Sequence, residues 1–180
     1  MTIGKRKNDH IEICLKENVR SGVSTGFEHW RLVHNAMPEE NFDAYSTESV
    51  FLGKTIAAPL LISSMTGGTE RGNMINRRLL EAAEELHLPF AIGSQRIYLE
   101  NPELKIPDLR SIAPTSPILA NLGAVQLNYG YGKEHCLRAV ELIRADALIL
   151  QCRDLVCRNS VEEVILTCLE SGQFCCLRVV

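Results

Sequence analysis

The stretch that decides the fold runs Pro59-Leu-Leu-Ile-Ser-Ser-Met-Thr-Gly-Gly68, and Pro89-Phe-Ala-Ile-Gly-Ser94 follows it about twenty residues later. The first is a short apolar run opened by proline and closed by a Thr66-Gly67-Gly68 turn, the pattern of a buried strand. Between the two, residues 73 to 86 place Met74, Ile75, Leu79, Leu80, Ala83 and Leu86 on one helical face, with Asn73 as the expected cap. Strand, helix and strand in that order predict a β-α-β unit.

Working outward, residues 101 to 111 read as a shorter helix with Asn101 capping and Pro102 at its first position. Residues 117 to 123 read as a third strand, 133 to 144 as a third helix and 147 to 150 as a fourth strand. Four strands and three helices in alternation predict an α/β fold with a parallel sheet and right-handed crossovers. A small doubly wound sheet would show Gly-x-Gly-x-x-Gly after its first strand, and none is present. A (β/α)8 barrel takes roughly 250 residues, and the repeat here fills only residues 59 to 150, so half a TIM barrel of about four β/α units is the expected architecture. Residues 1–58 lie outside the repeat and read as an N-terminal extension. A helix is expected there around residues 10 to 19 and a short strand or hairpin between Ser46 and Lys54.

Of 180 residues, 46% are hydrophobic and 23% charged, the make-up of a globular domain. A net charge of -3 gives no general attraction to nucleic acid or to an anionic membrane. No apolar run approaches the roughly 20 residues that cross a bilayer, and the first ten residues lack the apolar core of a secretion signal, so the cytoplasm is the expected compartment. Five of seven cysteines (Cys152, Cys157, Cys168, Cys175 and Cys176) fall after residue 150. With no Cys-x-x-Cys pair they argue against a zinc site or a disulfide framework.

Chemistry-bearing residues gather at the strand ends, where parallel α/β folds keep their ligands. Ser63-Ser64-Met65-Thr66-Gly67-Gly68 offers hydroxyls and unobstructed backbone to a flat ring or a phosphate; a serine-rich turn is the plainer alternative. Gly93-Ser94-Gln95-Arg96 suits capture of a phosphate, or is a loop with a surface arginine. Asn121 places an amide inside an apolar strand, where it serves either a ligand edge or the structure. Arg6-Lys7-Asn8-Asp9-His10 is basic, as solvated termini often are.

In order and spacing, Arg6-Lys7-x-Asp9-His10, Ile62-Ser-Ser-Met-Thr-Gly-Gly68, Gly93-Ser-Gln-Arg96 and Asn121-Leu-Gly-Ala124 resemble the type 2 isopentenyl-diphosphate isomerases, over residues 5 to 150. The resemblance implies a (β/α)8 barrel that binds FMN. It implies that Ser63, Ser64, Met65, Thr66, Ser94 and Asn121 contact the flavin, that Arg6 and Lys7 bind substrate, and that Ser94, Gln95 and Arg96 form the diphosphate loop. The implied reaction is a 1,3-proton shift interconverting isopentenyl and dimethylallyl diphosphate in isoprenoid biosynthesis. Reduced FMN is its acid/base, so no side chain is assigned as catalytic; NADPH keeps the flavin reduced, and Mg²⁺ bridges to the diphosphate. A homo-oligomer is implied as well.

After Leu150 the family carries His-x-Asn-x-x-Gln-Glu, which includes the magnesium-binding carboxylate, whereas this chain reads Gln151-Cys-Arg-Asp-Leu-Val-Cys157. No metal ligand is therefore assigned, and Glu162 and Glu163 read as an exposed helix face. Residues 151–180 read as a non-homologous cysteine-rich tail, the mark of a shifted reading frame, an alternative exon or a gene-model error, and residues 1 to 180 alone are expected to show little activity and to retain little FMN. Two other functions stay open: a non-catalytic product that pairs with other protomers, and another FMN-dependent dehydrogenase or oxidase barrel. The latter has no use for Arg6, Lys7 and Arg96 as diphosphate ligands.

Overall fold

The computed structural model describes residues 3–20, 22–37 and 39–151, together with the backbone of a strand at 175–179. Helix α1 (Ile3–Lys16) leads into an irregular stretch and then a two-stranded hairpin, β1 (Ser49–Phe51) and β2 (Lys54–Ile56). Leu52 and Gly53 between them both take positive φ (51° and 74°), as a tight two-residue hairpin turn requires. Leu52 is held in this uncommon conformation while its side chain packs against the sheet. Helix α1 begins seven residues before the expected start. Lys5 to Asp9 are polar, but they lie on a helix that docks on the next one, α2 (Glu70–Glu85).

The main sheet is parallel, in the order β3 (Phe90–Ala91), β4 (Ile118–Gly123), β5 (Ala147–Gln151) and β6 (Cys175–Val179). Helix α2 leads into β3, and α5 (Lys133–Ile143) crosses from β4 to β5. Among the described residues the sheet is open. The expected first strand, 59 to 65, contributes only a parallel bridge between Ile62 and Phe90, and its side chains are partly or largely exposed. It has a bonding partner on one side alone, so its apolar run is not enclosed. Strand β6 was not anticipated; its backbone pairs with all five residues of β5. The remaining tail positions Cys152, Cys157, Cys168, Glu162 and Glu163 lie outside the described residues.

Two helix boundaries differ from expectation. Thr69, not Asn73, caps α2, its Oγ1 accepting from the Gly72 N–H at 3.1 Å. Asn101 ends a helix instead of starting one. It follows α3 (Arg96–Glu100), its Nδ2 donating to the Ile97 carbonyl at 2.8 Å, and Pro102 has no N–H with which to extend the turn. The short helix α4 (Leu109–Ile112) starts later, capped by Asp108.

Alternate residues of the strands sort into two layers. Phe90, Ile92, Ile118, Ala120, Leu122, Leu148 and Leu150 face the helices and pack with Leu80, Ala83, Ala139 and Ile143 into the main core. Each fully buried Leu or Ile there contributes roughly 1.5 to 3 kcal/mol. Ala91, Leu119, Ala147 and Ile149 form the opposite face, covered by Phe51 and Leu52 of the hairpin. Continuing along that second face toward the strand C-termini, Leu119 is followed by Asn121 and Gly123, and Ile149 by Gln151. One end is therefore apolar and plugged; the other is polar and open.

Candidate functional site

At the open end lie two adjoining cavities. One, of about 680 Å³, is lined by Arg6, Ser64, Met65, Ser94, Arg96 and Gln126 among others. The second, of about 470 Å³, is lined by Lys7, His10, Ser64, Met65, Thr66, Ser94 and Asn121, with apolar walls from Ile11, Leu15, Ile75 and Leu79. Both volumes lie in the range of ligand pockets. Arg6, Ser64, Met65, Ser94 and Gln151 are common to the two. Helix α1 thus carries its basic residues across the sequence to the ends of β3, β4 and β5.

The Thr66-Gly67-Gly68 turn is held tightly from several sides. The Thr66 carbonyl accepts from the Gly93 N–H at 3.1 Å and from Asn76 Nδ2 at 2.9 Å. Gly93 is required by that approach, because a Cβ there would fall 2.1 Å from the Thr66 carbonyl oxygen. Gly68 has φ 76°, and a Cβ on it would meet Ile97 at 2.2 Å.

Among the described residues, the buried side-chain polar atoms without a partner are Ser64 Oγ and both Nδ2 and Oδ1 of Asn121. Asn121 is only 1% exposed. Leaving such a group unpaired typically costs about 1 to 3 kcal/mol. All three atoms belong to residues lining the second cavity. One wall of that cavity thus holds a donor and acceptors ready for a ligand with a polar edge, beside Thr66. Those features fit the edge of a flavin ring.

Lys7 Nζ donates to the Ser94 carbonyl at 3.0 Å. Its burial, and secondarily the positive charge of Arg6, pull its pKa down to about 8. An anion placed beside it would reverse that shift. Arg96 lines the first cavity with Arg6, while its Nε donates to the Glu100 carboxylate at 2.6 Å. That hydrogen bond chiefly holds the Arg96 pKa above its ordinary value, so the guanidinium stays charged.

Of the residues singled out from sequence, Arg6, Lys7, Ser64, Met65, Thr66, Ser94, Arg96 and Asn121 line one or both cavities. Ser63 is exposed and lines neither. The Gln95 side chain is fully buried and points into the body: Nε2 donates to the Ala139 carbonyl at 2.8 Å, and Oε1 accepts from the Asn121 N–H at 3.1 Å. It fixes the strand beneath the cavity. Sequence reading passed over Ile11 and Leu15, whose spacing from Lys7 is a helical stripe, and Gln126 and Tyr129, which sit on the turn after β4. Among the described residues no three His, Cys, Asp or Glu side chains come together as metal ligands. No described helix is long and apolar enough to cross a membrane.

No family model matches the chain. Individual relatives do. Proteins named isopentenyl-diphosphate delta-isomerase from Rickettsia rickettsii (strain Sheila Smith) and Rickettsia prowazekii (strain Madrid E) are each 50% identical to it over 147 residues. The counterpart from Rickettsia felis is 49% identical over the same length. These matches cover 81% of this chain and 43% of each relative, so the chain spans less than half the length of the curated relatives it matches. Across most of its residues the chain is a homologue of proteins named isopentenyl-diphosphate delta-isomerase.

Proposed function

We propose that the two cavities are the flavin- and diphosphate-facing part of a type 2 isopentenyl-diphosphate isomerase site, built on the N-terminal half of a (β/α)8 barrel. The observation that carries this reading is the convergence of Arg6 and Lys7 with Ser64, Met65, Ser94, Arg96 and Asn121, which lie up to 115 residues apart in sequence. The 50% identity to proteins of that name supports it.

In this reading Asn121, Ser64 and the Thr66 turn hold FMN in the second cavity, Asn121 and Ser64 satisfying their orphaned atoms on its ring edge. Reduced FMN, maintained by NADPH, supplies the acid/base chemistry for the 1,3-proton shift. Arg6 and Arg96 face the first cavity and take the diphosphate of isopentenyl diphosphate, two guanidiniums suiting bidentate capture. Lys7 adds its charge from the edge of the second. Ile11, Ile75 and Leu79 add an apolar wall to the second cavity, against which the flat face of the ring can pack.

The test is a titration of residues 1 to 180 with FMN and then with isopentenyl diphosphate, comparing wild type with Arg96→Ala. Loss of a charged bidentate contact weakens diphosphate binding roughly tenfold to hundredfold while FMN affinity stays nearly unchanged. Equal loss of both ligands would place Arg96 in the service of the fold or the flavin and overturn its assignment. Absence of any FMN binding by the wild type would overturn the reading of the second cavity.

A further inference from the structure

We infer that Asn73 is a positioning residue that ties the flavin-facing turn to the helix bearing the diphosphate-binding arginine, and that it does so through its side-chain oxygen alone. The inference rests on the FMN reading given above. Asn73 Oδ1 accepts two hydrogen bonds, from the Gly68 N–H at 3.1 Å and from the Tyr98 hydroxyl at 2.8 Å. Gly68 belongs to the turn against the second cavity, and Tyr98 lies two residues after Arg96 on α3. One carbonyl oxygen therefore bridges the two ligand-facing segments. Both partners are enclosed: Tyr98 is 4% exposed, and Gly68 sits against the Ile97 side chain with no room for a Cβ.

Asn76, one turn further along α2, works with the opposite atom. Its Nδ2 donates to the Thr66 carbonyl, while Oδ1 of Asn73 receives the Gly68 amide. Two amides of one helix thus hold both ends of the Thr66-Gly67-Gly68 turn, one as donor and one as acceptor. Pre-setting this turn lowers the ordering cost of seating a ring against it.

The chemistry separates the two positions. Aspartate keeps two acceptor oxygens and loses the donor. Asn73→Asp should behave as wild type, Asn73→Ala should not, and Tyr98→Phe should lie between. Asn76→Asp sets a carboxylate against the Thr66 carbonyl and should fail. Because burying that charge endangers the fold itself, the decision rests on the other three variants.

Two readouts on residues 1 to 180 are needed. Without flavin, amide hydrogen exchange should show Gly68 protected in the wild type and in Asn73→Asp, and exchanging roughly threefold to tenfold faster in Asn73→Ala, the scale of one neutral hydrogen bond. With flavin, FMN affinity should fall by a similar factor in Asn73→Ala and be restored by Asn73→Asp. An Asn73→Asp variant as deficient as Asn73→Ala overturns the role of the oxygen. Unchanged FMN affinity in Asn73→Ala, with wild type binding FMN, overturns the positioning role. If the wild type binds no FMN, the flavin reading falls, and the exchange pattern still decides whether Asn73 pins the turn.

Discussion

The two ends of the sheet's hairpin-side face are built to opposite rules. At the strand N-termini every polar group of note is engaged. Asp146 pairs with Lys54 of the hairpin at 2.8 Å and with Arg110 of α4 at 2.7 Å, and it accepts from the Ile118 N–H at 2.8 Å. Arg110 also donates to the carbonyls of Ala113, Ser116 and Arg144. Above this network Phe51 and Leu52 close the apolar layer. At the C-termini, by contrast, Ser64 and Asn121 keep buried polar atoms without partners beside two cavities. A fold that satisfies one end so fully and leaves the other incomplete is spending stability where a ligand restores it.

The largest effect should come from breaking the satisfied end. Asp146→Ala strands two partly buried cations and an amide, and is expected to destabilise the chain by about 2 to 4 kcal/mol in denaturant unfolding. Ligand affinity measured on the remaining folded protein should change little. The same group sets an acid limit. Burial alone would raise the Asp146 pKa, but the hydrogen bonds from Lys54, Ile118 and Arg110 outweigh it and hold the carboxyl below its ordinary value. Its contribution is therefore present above the unfolded-state value of about 4 and is lost as pH falls through the lower native one.

A smaller effect sharpens the open end. Lys7, with its pKa pulled down to about 8, carries a charge at this site that titrates far below the ordinary lysine range. Because its native pKa lies below that of the unfolded chain, its charged form is disfavoured in the empty protein. That cost is fully present below about pH 8 and is relieved as pH rises toward the unfolded value of about 10.4. An anion bound nearby favours the charged form. Diphosphate affinity should thus be greatest below pH 8 and decline above it, and binding near pH 8 should take up a proton. Calorimetry in buffers of different ionisation enthalpy reads that uptake directly; a pH-independent affinity between 7 and 9.5 would remove Lys7 from the site.

Where apolar runs are continuous, the fold was legible in the residues themselves. Residues 117 to 123 and 147 to 150 became β4 and β5 nearly as read, because burial on both faces leaves a simple pattern, and residues 133 to 144 became α5 because their apolar positions recur on one helical face. Legibility failed where a side chain's partner lies far away in sequence. Asn73 looks like a cap, yet its oxygen is taken by Gly68 and Tyr98. The polar run at Lys5 to Asp9 looks like a solvated terminus, but on α1 it alternates with the stripe of Lys7, Ile11 and Leu15 that reaches the second cavity. Gln95 sits inside a ligand-like motif, and only the fold shows its amide bonded to Ala139 and Asn121. Resemblance gathered the site's residues; three-dimensional packing distinguishes those that face the cavities from those that support them.

The most direct test of the central claim is the pairing of stability and flavin affinity in Asn121→Leu. Leucine matches the branched shape of asparagine and removes the two orphaned polar atoms, with the second cavity there to accept its extra bulk. If those atoms await a ligand, the ligand-free variant should be more stable than wild type by about 1 to 2 kcal/mol in denaturant unfolding. FMN titrated into the same variant should bind roughly tenfold more weakly, or worse. A variant that loses stability and binds FMN as the wild type does would show that Asn121 serves the fold, and would contradict the account.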